Sequence, residues 1–223
     1  MNYGKVTIKH IHHITQDVLR IVTEKPPQLR FNPGQATEVF LTKEGWEKEG
    51  RPFTFTSLPG DDHVEFTIKT YPVRSGVTNE LLKLSAGDKL ILNDVFGEIS
   101  YKGEGTFIAG GAGITPFISI FRDLAAKHAI GNNKLIFANK SRADIINEAE
   151  FSKLLGQGFI NILSEEILEG FEHGFVTEEF LKQHITDPNA YVYLCGPPPM
   201  IDAVLNTLHS LGIAGTHIVQ EGF

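Results

Sequence analysis

The sequence predicts two successive folds on one chain, an N-terminal antiparallel β-barrel and a C-terminal α/β unit built on a parallel sheet. Three observations predict it. Short β-type runs separated by turn residues fill the first hundred positions, with almost no helical periodicity. Beyond position 102, short apolar runs alternate with amphipathic stretches, the pattern of a sheet covered on both faces. A glycine cluster, Gly110-Gly111-Ala112-Gly113, stands between one such run and one such stretch. The expected domains are therefore residues 1–101 and 102–223.

In chain order, Val6-Thr7-Ile8, Val18-Leu19-Arg20-Ile21-Val22, Thr37-Glu38-Val39-Phe40-Leu41, Val64-Glu65-Phe66-Thr67-Ile68 and Lys89-Leu90-Ile91-Leu92 read as strands. Pro26-Pro27, Asn32-Pro33-Gly34, Pro59-Gly60-Asp61 and Ala86-Gly87-Asp88 mark the turns between them. Closing such strands into a barrel removes exposed edges. Only 78–84 looks helical in this half. In the second half, Thr106-Phe107-Ile108-Ala109, Lys134-Leu135-Ile136-Phe137-Ala138, Ile160-Asn161-Ile162-Leu163 and 191–195 read as buried strands. Helices are expected at 115–128, 148–155, 177–184 and 199–211, with Thr177 as an N-cap and Asp187-Pro188 as a stop.

Composition excludes several classes. Asp and Glu outnumber Lys and Arg by 27 to 20, a formal charge of −7, which argues against a nucleic-acid binder. A lone cysteine, Cys195, rules out an internal disulfide, a Cys₄ zinc site and a four-thiolate iron–sulfur cluster on these residues. Residues 1–10 carry no apolar core of a secretory signal, and the charge-free stretch 105–121 contains four glycines. The expectation is a cytoplasmic protein with no membrane insertion. His10, His12 and His13 cluster without a carboxylate or thiolate at a ligand spacing, so they read as solvated strand residues and no metal is expected.

Three segments carry chemistry. Gly110 to Pro116 sits between a strand and a helix, where glycines let backbone N–H groups approach a phosphate and Pro116 suits an early helical position. An ordinary tight turn is the alternative, because Gly111-x-Gly113 lacks the third glycine of the dinucleotide fingerprint. Cys195-Gly196-Pro197-Pro198-Pro199-Met200 ends a strand, the ligand-binding edge of open α/β sheets, although a buried small hydrophobe also describes Cys195. Arg51-Pro52-Phe53-Thr54-Phe55-Thr56-Ser57 interleaves a cation, aromatic rings and hydroxyls at strand spacing, which suits a flat phosphate-bearing cofactor as well as an ordinary strand. Gly76-Val77-Thr78, before the short helix, is a weaker anion-binding turn.

These pieces, with the tail Glu221-Gly222-Phe223, resemble in type and order the ferredoxin–NADP reductase family, flavodoxin reductases in particular, over nearly the whole chain. The resemblance implies a flavin-binding barrel and an NAD(P)-binding α/β domain. Arg51 and Pro52 would lie at the flavin pyrophosphate, Phe53 along the flavin, and Thr54 near N5. Lys69, Thr70, Gly76, Val77 and Thr78 would line the phosphate and adenosine side. Gly111, Gly113, Thr115 and Pro116 would hold the nicotinamide nucleotide, with Cys195, Gly196, Pro197 and Glu221 near its reactive carbon. Phe223 matches the terminal aromatic that covers the flavin. Two departures stand out: Thr54 replaces a usual serine, and Asn93-Asp94-Val95-Phe96-Gly97 occupies a loop where Gly-Pro is common.

The implied cofactor is FAD in preference to FMN, with NADPH or NADH as co-substrate. Ser141 and Arg142, at the end of the second α/β strand, lean toward the 2′-phosphate of NADPH, against the alternative of a solvated loop beside Asp144. The implied activity is an NAD(P)H-dependent flavoprotein reductase. It would pass hydride from nicotinamide to flavin and then single electrons to a small redox protein such as ferredoxin or flavodoxin. Lys69, Arg74 and Lys102 could form a basic docking patch. A reductase component of an oxygenase, a free flavin or ferric reductase, and a non-catalytic flavin-binding redox sensor are the other readings.

Overall fold

A computed structural model describes residues 2–71 and 76–221. The candidate residues Phe223 and Arg74 lie outside the described residues. The chain forms two compact units. One runs up to Ser100 and takes in Thr115–Asp123; the other comprises Tyr101–Ile114 and the chain from Leu124 onward.

The first unit contains β1 (Gly4–Thr15), β2 (Val18–Glu24), β3 (Ala36–Leu41), β4 (Arg51–Thr54), β5 (His63–Lys69), α1 (Val77–Leu81) and β6 (Lys89–Phe96). The strands pair antiparallel in the order β4-β3-β6-β1-β2-β5. An antiparallel bridge between Phe55 and Phe66 joins the two edges and closes the barrel. The Thr56 N–H donates to the Glu65 carbonyl at 2.8 Å at the same seam. Period-two burial shows why these residues make strands: along β3, Thr37, Val39 and Leu41 face inward while their neighbours do not. Phe55 and Phe66 are fully buried in the core, and Phe55 stacks on Phe31 at 4.1 Å. Trp46 packs against this core. β1 runs well past the expected Ile8 and carries His10, His12 and His13 opposite Val22, Arg20 and Leu19. β6 runs through Asn93-Asp94-Val95-Phe96, so that departure from the family pattern is strand up to Gly97, which adopts a φ of 115°.

The seam holds one deeply buried charge. Glu65 is 2% exposed, accepts from Arg122 Nη1 at 2.6 Å and from Arg20 Nε at 2.6 Å, and accepts from the Thr56 hydroxyl at 3.0 Å. Arg122 also donates to the Thr56 carbonyl at 2.7 Å. Burial alone would raise the Glu65 carboxyl, but Arg122 and then Arg20 outweigh it and hold its pKa below the ordinary value.

Beyond the barrel, the chain forms β7 (Gly105–Gly110), α2 (Thr115–Ala126), β8 (Lys134–Asn139), α3 (Glu148–Leu155), β9 (Phe159–Leu163), β10 (Glu172–His173), α4 (Glu178–His184), β11 (Tyr191–Cys195), α5 (Pro198–Ser210) and β12 (Ile218–Gln220). The six strands are parallel in the order β10-β9-β8-β7-β11-β12. All six residues of β7 are buried, as a central parallel strand requires. Leu181 of α4 and Val204 and Leu208 of α5 pack with Ile108, Ile136 and Leu194 of the sheet. Thr177 caps α4 by accepting from the Phe180 N–H at 3.2 Å. The Tyr193 hydroxyl accepts from the N–H groups of Lys102 and Gly103 and donates to the Gly103 carbonyl, pinning the segment that enters β7. No helix among the described residues is long and apolar enough to cross a membrane.

Candidate functional site

In the first unit, Arg51, Pro52, Phe53 and Thr54 form β4, opposite Val39, Glu38, Thr37 and Ala36 of β3. Arg51 is about half exposed; it donates to its neighbour's carbonyl, Gly50 O, at 2.7 Å, and Glu49 stands 3.6 Å away. A guanidinium held this loosely retains donors for an anion. Phe53 packs partly against the barrel core. The Thr54 hydroxyl lies 3.3 Å from that of Thr115, the first residue of α2. A cation, an aromatic ring and hydroxyls on one short strand and the adjoining helix start form a donor set that suits a flavin with its phosphates.

The second group of expected flavin residues is tied into the barrel. Lys69 pairs with Asp17 at 2.9 Å. Thr70 donates twice to the Asp17 carbonyl, through its N–H at 2.7 Å and its hydroxyl at 2.9 Å. Val77 is 1% exposed and belongs to the core, while the Gly76 carbonyl accepts from Asn79 and Glu80 at the start of α1. Thr78 lies on the same turn, half-buried. Asp17 escaped the sequence reading. Its role depends on the β1–β2 turn meeting the end of β5, and no local motif announces that.

In the second unit, strand order supplies the geometry. From β7 the chain steps to β8, β9 and β10 on one side, then returns to the other side with β11 and β12. The reversal lies between β7 and β11, and open α/β sheets bind ligands at the carboxyl ends of strands at such a switch point. Cys195 pairs in register with Ala109, so the loops following both strands start level with each other. Gly111 takes a φ of 51°, and a 3₁₀ turn, Gly111–Ile114, leads directly into α2, of which Thr115 and Pro116 are the first two residues. A Cβ on Gly113 would overlap the Cys195 carbonyl and come within 2.7 Å of the Gly196 nitrogen. A Cβ on Gly110 would stand 2.5 Å from Met200 Sδ and 2.8 Å from Pro197 Cδ. The glycines are therefore required for two loops to touch, and Pro197 then leads into α5 as its N-cap.

Burial pushes the Cys195 thiol up to about 12, and the charge of Glu221 adds to the rise. At neutral pH the sulfur is a protonated, weakly polar surface and no nucleophile. Ser141 caps the 3₁₀ turn Arg142–Asp144 that follows β8, closing a capping box with Asp144. Strand order and the Gly113–Cys195 approach bring the glycine turn and the Cys195 loop together. Ser141 and Arg142 lie one strand further out, beyond β8.

Comparison with known proteins agrees with both units. Residues 3–121 match the model of an FAD-binding domain, and residues 107–206 match that of an oxidoreductase NAD-binding domain. The chain is 30% identical, over 98% of its length, to the reductase component of propane 2-monooxygenase from Rhodococcus jostii, and spans 63% of that protein, less than two thirds of its length. It is 31% identical to NADH-cytochrome b5 reductase 1 of Aspergillus terreus, over 92% of this chain and 75% of that one. The FAD/NAD-binding domain of a nitric oxide dioxygenase from Vibrio cholerae has the same fold, with a TM-score of 0.89 at 21% identity, covering 100% of this chain and 99% of that one. With more than half of its length in the FAD-binding model and a relative matched at this level, the chain belongs to the ferredoxin–NADP reductase family of flavoprotein oxidoreductases.

Proposed function

We propose that this chain is an NAD(P)H-dependent flavoprotein reductase that delivers electrons to a small redox protein or an oxygenase component. Residues 1–101 hold the flavin, read as FAD, and residues 102–223 hold the nicotinamide nucleotide. The observation that carries the reading is the meeting of the Gly113 turn with the Cys195-Gly196 loop at the switch point of the parallel sheet. The family membership and the names of the relatives support the acceptor class.

A flavin held by Arg51, Phe53 and Thr54 would supply the redox chemistry, hydride acceptance from a reduced nicotinamide and single-electron donation. The protein's own residues position and shield. Arg51 neutralises phosphate charge, Phe53 offers an apolar ring, and the Thr54 hydroxyl, poised by Thr115, orients the reactive edge. Gly111 and Gly113 admit a nucleotide phosphate close to backbone N–H groups at the start of α2. Cys195, protonated and half-buried, shapes the nicotinamide subsite without forming a bond.

Anaerobic addition of NADH or NADPH to the yellow purified protein is expected to bleach it. A yellow protein that neither coenzyme bleaches would point to a redox sensor and end this reading. Arg51→Ala is expected to weaken flavin retention about tenfold or more, the usual size of a lost charge-assisted bond. Thr54→Val should slow bleaching about tenfold while Thr54→Ser restores it, since only the hydroxyl is at stake. Stopped-flow absorbance measures both rates, and flavin content after gel filtration measures the first effect.

A further inference from the structure

The adenosine 2′-phosphate separates NADPH from NADH, and it is read next to the carboxyl end of the second strand of the nucleotide-binding sheet. Here that strand is β8, and the three residues beyond it, Lys140, Ser141 and Arg142, supply the cations and the hydroxyl a phosphate needs. The structure commits each of them to a carboxylate of this chain. Lys140 Nζ pairs with Glu165 at 2.7 Å. Ser141 donates to Asp144 twice, through its hydroxyl at 2.8 Å and its N–H at 3.0 Å. Arg142 Nε reaches both oxygens of Glu148, at 3.1 and 3.2 Å, and the Arg142 N–H donates to Glu166 at 2.7 Å. The guanidinium also lies over the Phe171 ring, 5.5 Å from its centroid.

Each exposed ion pair is weak on its own. The sum of charges decides: two cations face Asp144, Glu148, Glu165 and Glu166. A dianionic phosphate would have to strip Arg142 from Glu148 and then sit beside that carboxylate with Asp144, Glu165 and Glu166 close by. A ribose diol, by contrast, offers two hydroxyl donors to the same acceptors.

We propose that the Lys140–Arg142 turn, through its pairing with Asp144, Glu148, Glu165 and Glu166, makes this protein selective for NADH over NADPH. The inference rests on the nucleotide-binding reading given above and reverses the lean that Ser141 and Arg142 suggest when read without their partners. Glu148 is the specificity-determining residue, because it holds Arg142 away from a phosphate.

Isothermal titration of the flavin-loaded protein with NAD⁺ and NADP⁺, and with 5′-ADP and 2′,5′-ADP, tests this without turnover. The diol form of each pair is expected to bind at least about tenfold tighter, the size of one charge-assisted interaction gained or lost. Steady-state kcat/KM for NADH and NADPH should follow the same ratio. Glu148→Gln is expected to raise the affinity for NADP⁺ and 2′,5′-ADP about tenfold, and Arg142→Ala in that background should remove the gain. Equal binding of NAD⁺ and NADP⁺ by the unaltered protein, or an unchanged ratio in the Glu148→Gln variant, would overturn the assignment while leaving the reductase reading intact. Binding of none of the four nucleotides would overturn both.

Discussion

Replacing Arg122 by alanine is expected to cost about 3 kcal/mol or more of folding stability, the usual consequence of stripping one partner from a buried ion pair. For a chain of this size that corresponds to a fall of roughly 6–12 °C in melting temperature. Glu65 is nearly inaccessible, and Arg122 supplies its larger electrostatic compensation together with a bond to the Thr56 carbonyl. Without it the carboxylate keeps Arg20 and the Thr56 hydroxyl among its described partners. Glu65→Gln should cost less, about 1–2 kcal/mol, because the two guanidiniums it abandons are partly exposed and water takes over their solvation. Thermal melts of the two variants check the ordering, and a Glu65 variant less stable than the Arg122 variant would refute it. The pH dependence has a definite sign. The folded Glu65 pKa lies below its unfolded value, so its contribution is complete above the ordinary carboxylate pKa of about 4 and is lost as pH falls through the depressed value. Arg122→Ala removes the larger of the two charges that lower it, so acid unfolding of that variant is expected to begin at higher pH.

Gly113→Ala is expected to lower coenzyme-driven flavin bleaching by about 100-fold, the cost of displacing a binding loop by about an ångström. The added methyl has no room. It would strike the Cys195 carbonyl, which is backbone and cannot rotate aside. One of the two switch-point loops must retreat, and on the proposed reading a nucleotide phosphate would lose its close approach. Because Gly113 is not among the residues of β4 proposed above to hold the flavin, flavin content should stay near that of the unaltered protein. Stopped-flow reduction and the flavin absorbance ratio separate these outcomes. A variant that bleaches at the normal rate would show that the loops tolerate separation and that their contact serves folding only.

The barrel and the parallel sheet were legible because period-two burial and strand–helix alternation are local signals. The glycine turn and the Cys195 loop were legible as separate segments. That they touch depends on strand order, which brings β11 beside β7 across more than eighty residues of sequence. The Glu65 cluster was not legible at all: Arg20 and Arg122 are far from Glu65 in sequence, and Val64-Glu65-Phe66 reads as ordinary alternation until the Phe55–Phe66 bridge folds its outward face under α2. Ser141 and Arg142 mislead for a related reason. A cation in a sequence carries no record of which carboxylate occupies it, and Glu165 and Glu166 arrive from the far end of β9.

The first turns of α2 belong to the barrel although the chain has already passed through β7 to reach them. Ser119 receives the Gly34 amide at 2.9 Å, and Arg122 neutralises the seam. A gene truncated after codon 101 would therefore encode a barrel missing its own lid and counter-ion. During synthesis on the ribosome the N-terminal portion therefore cannot finish folding until some twenty further residues, up to Asp123, have emerged.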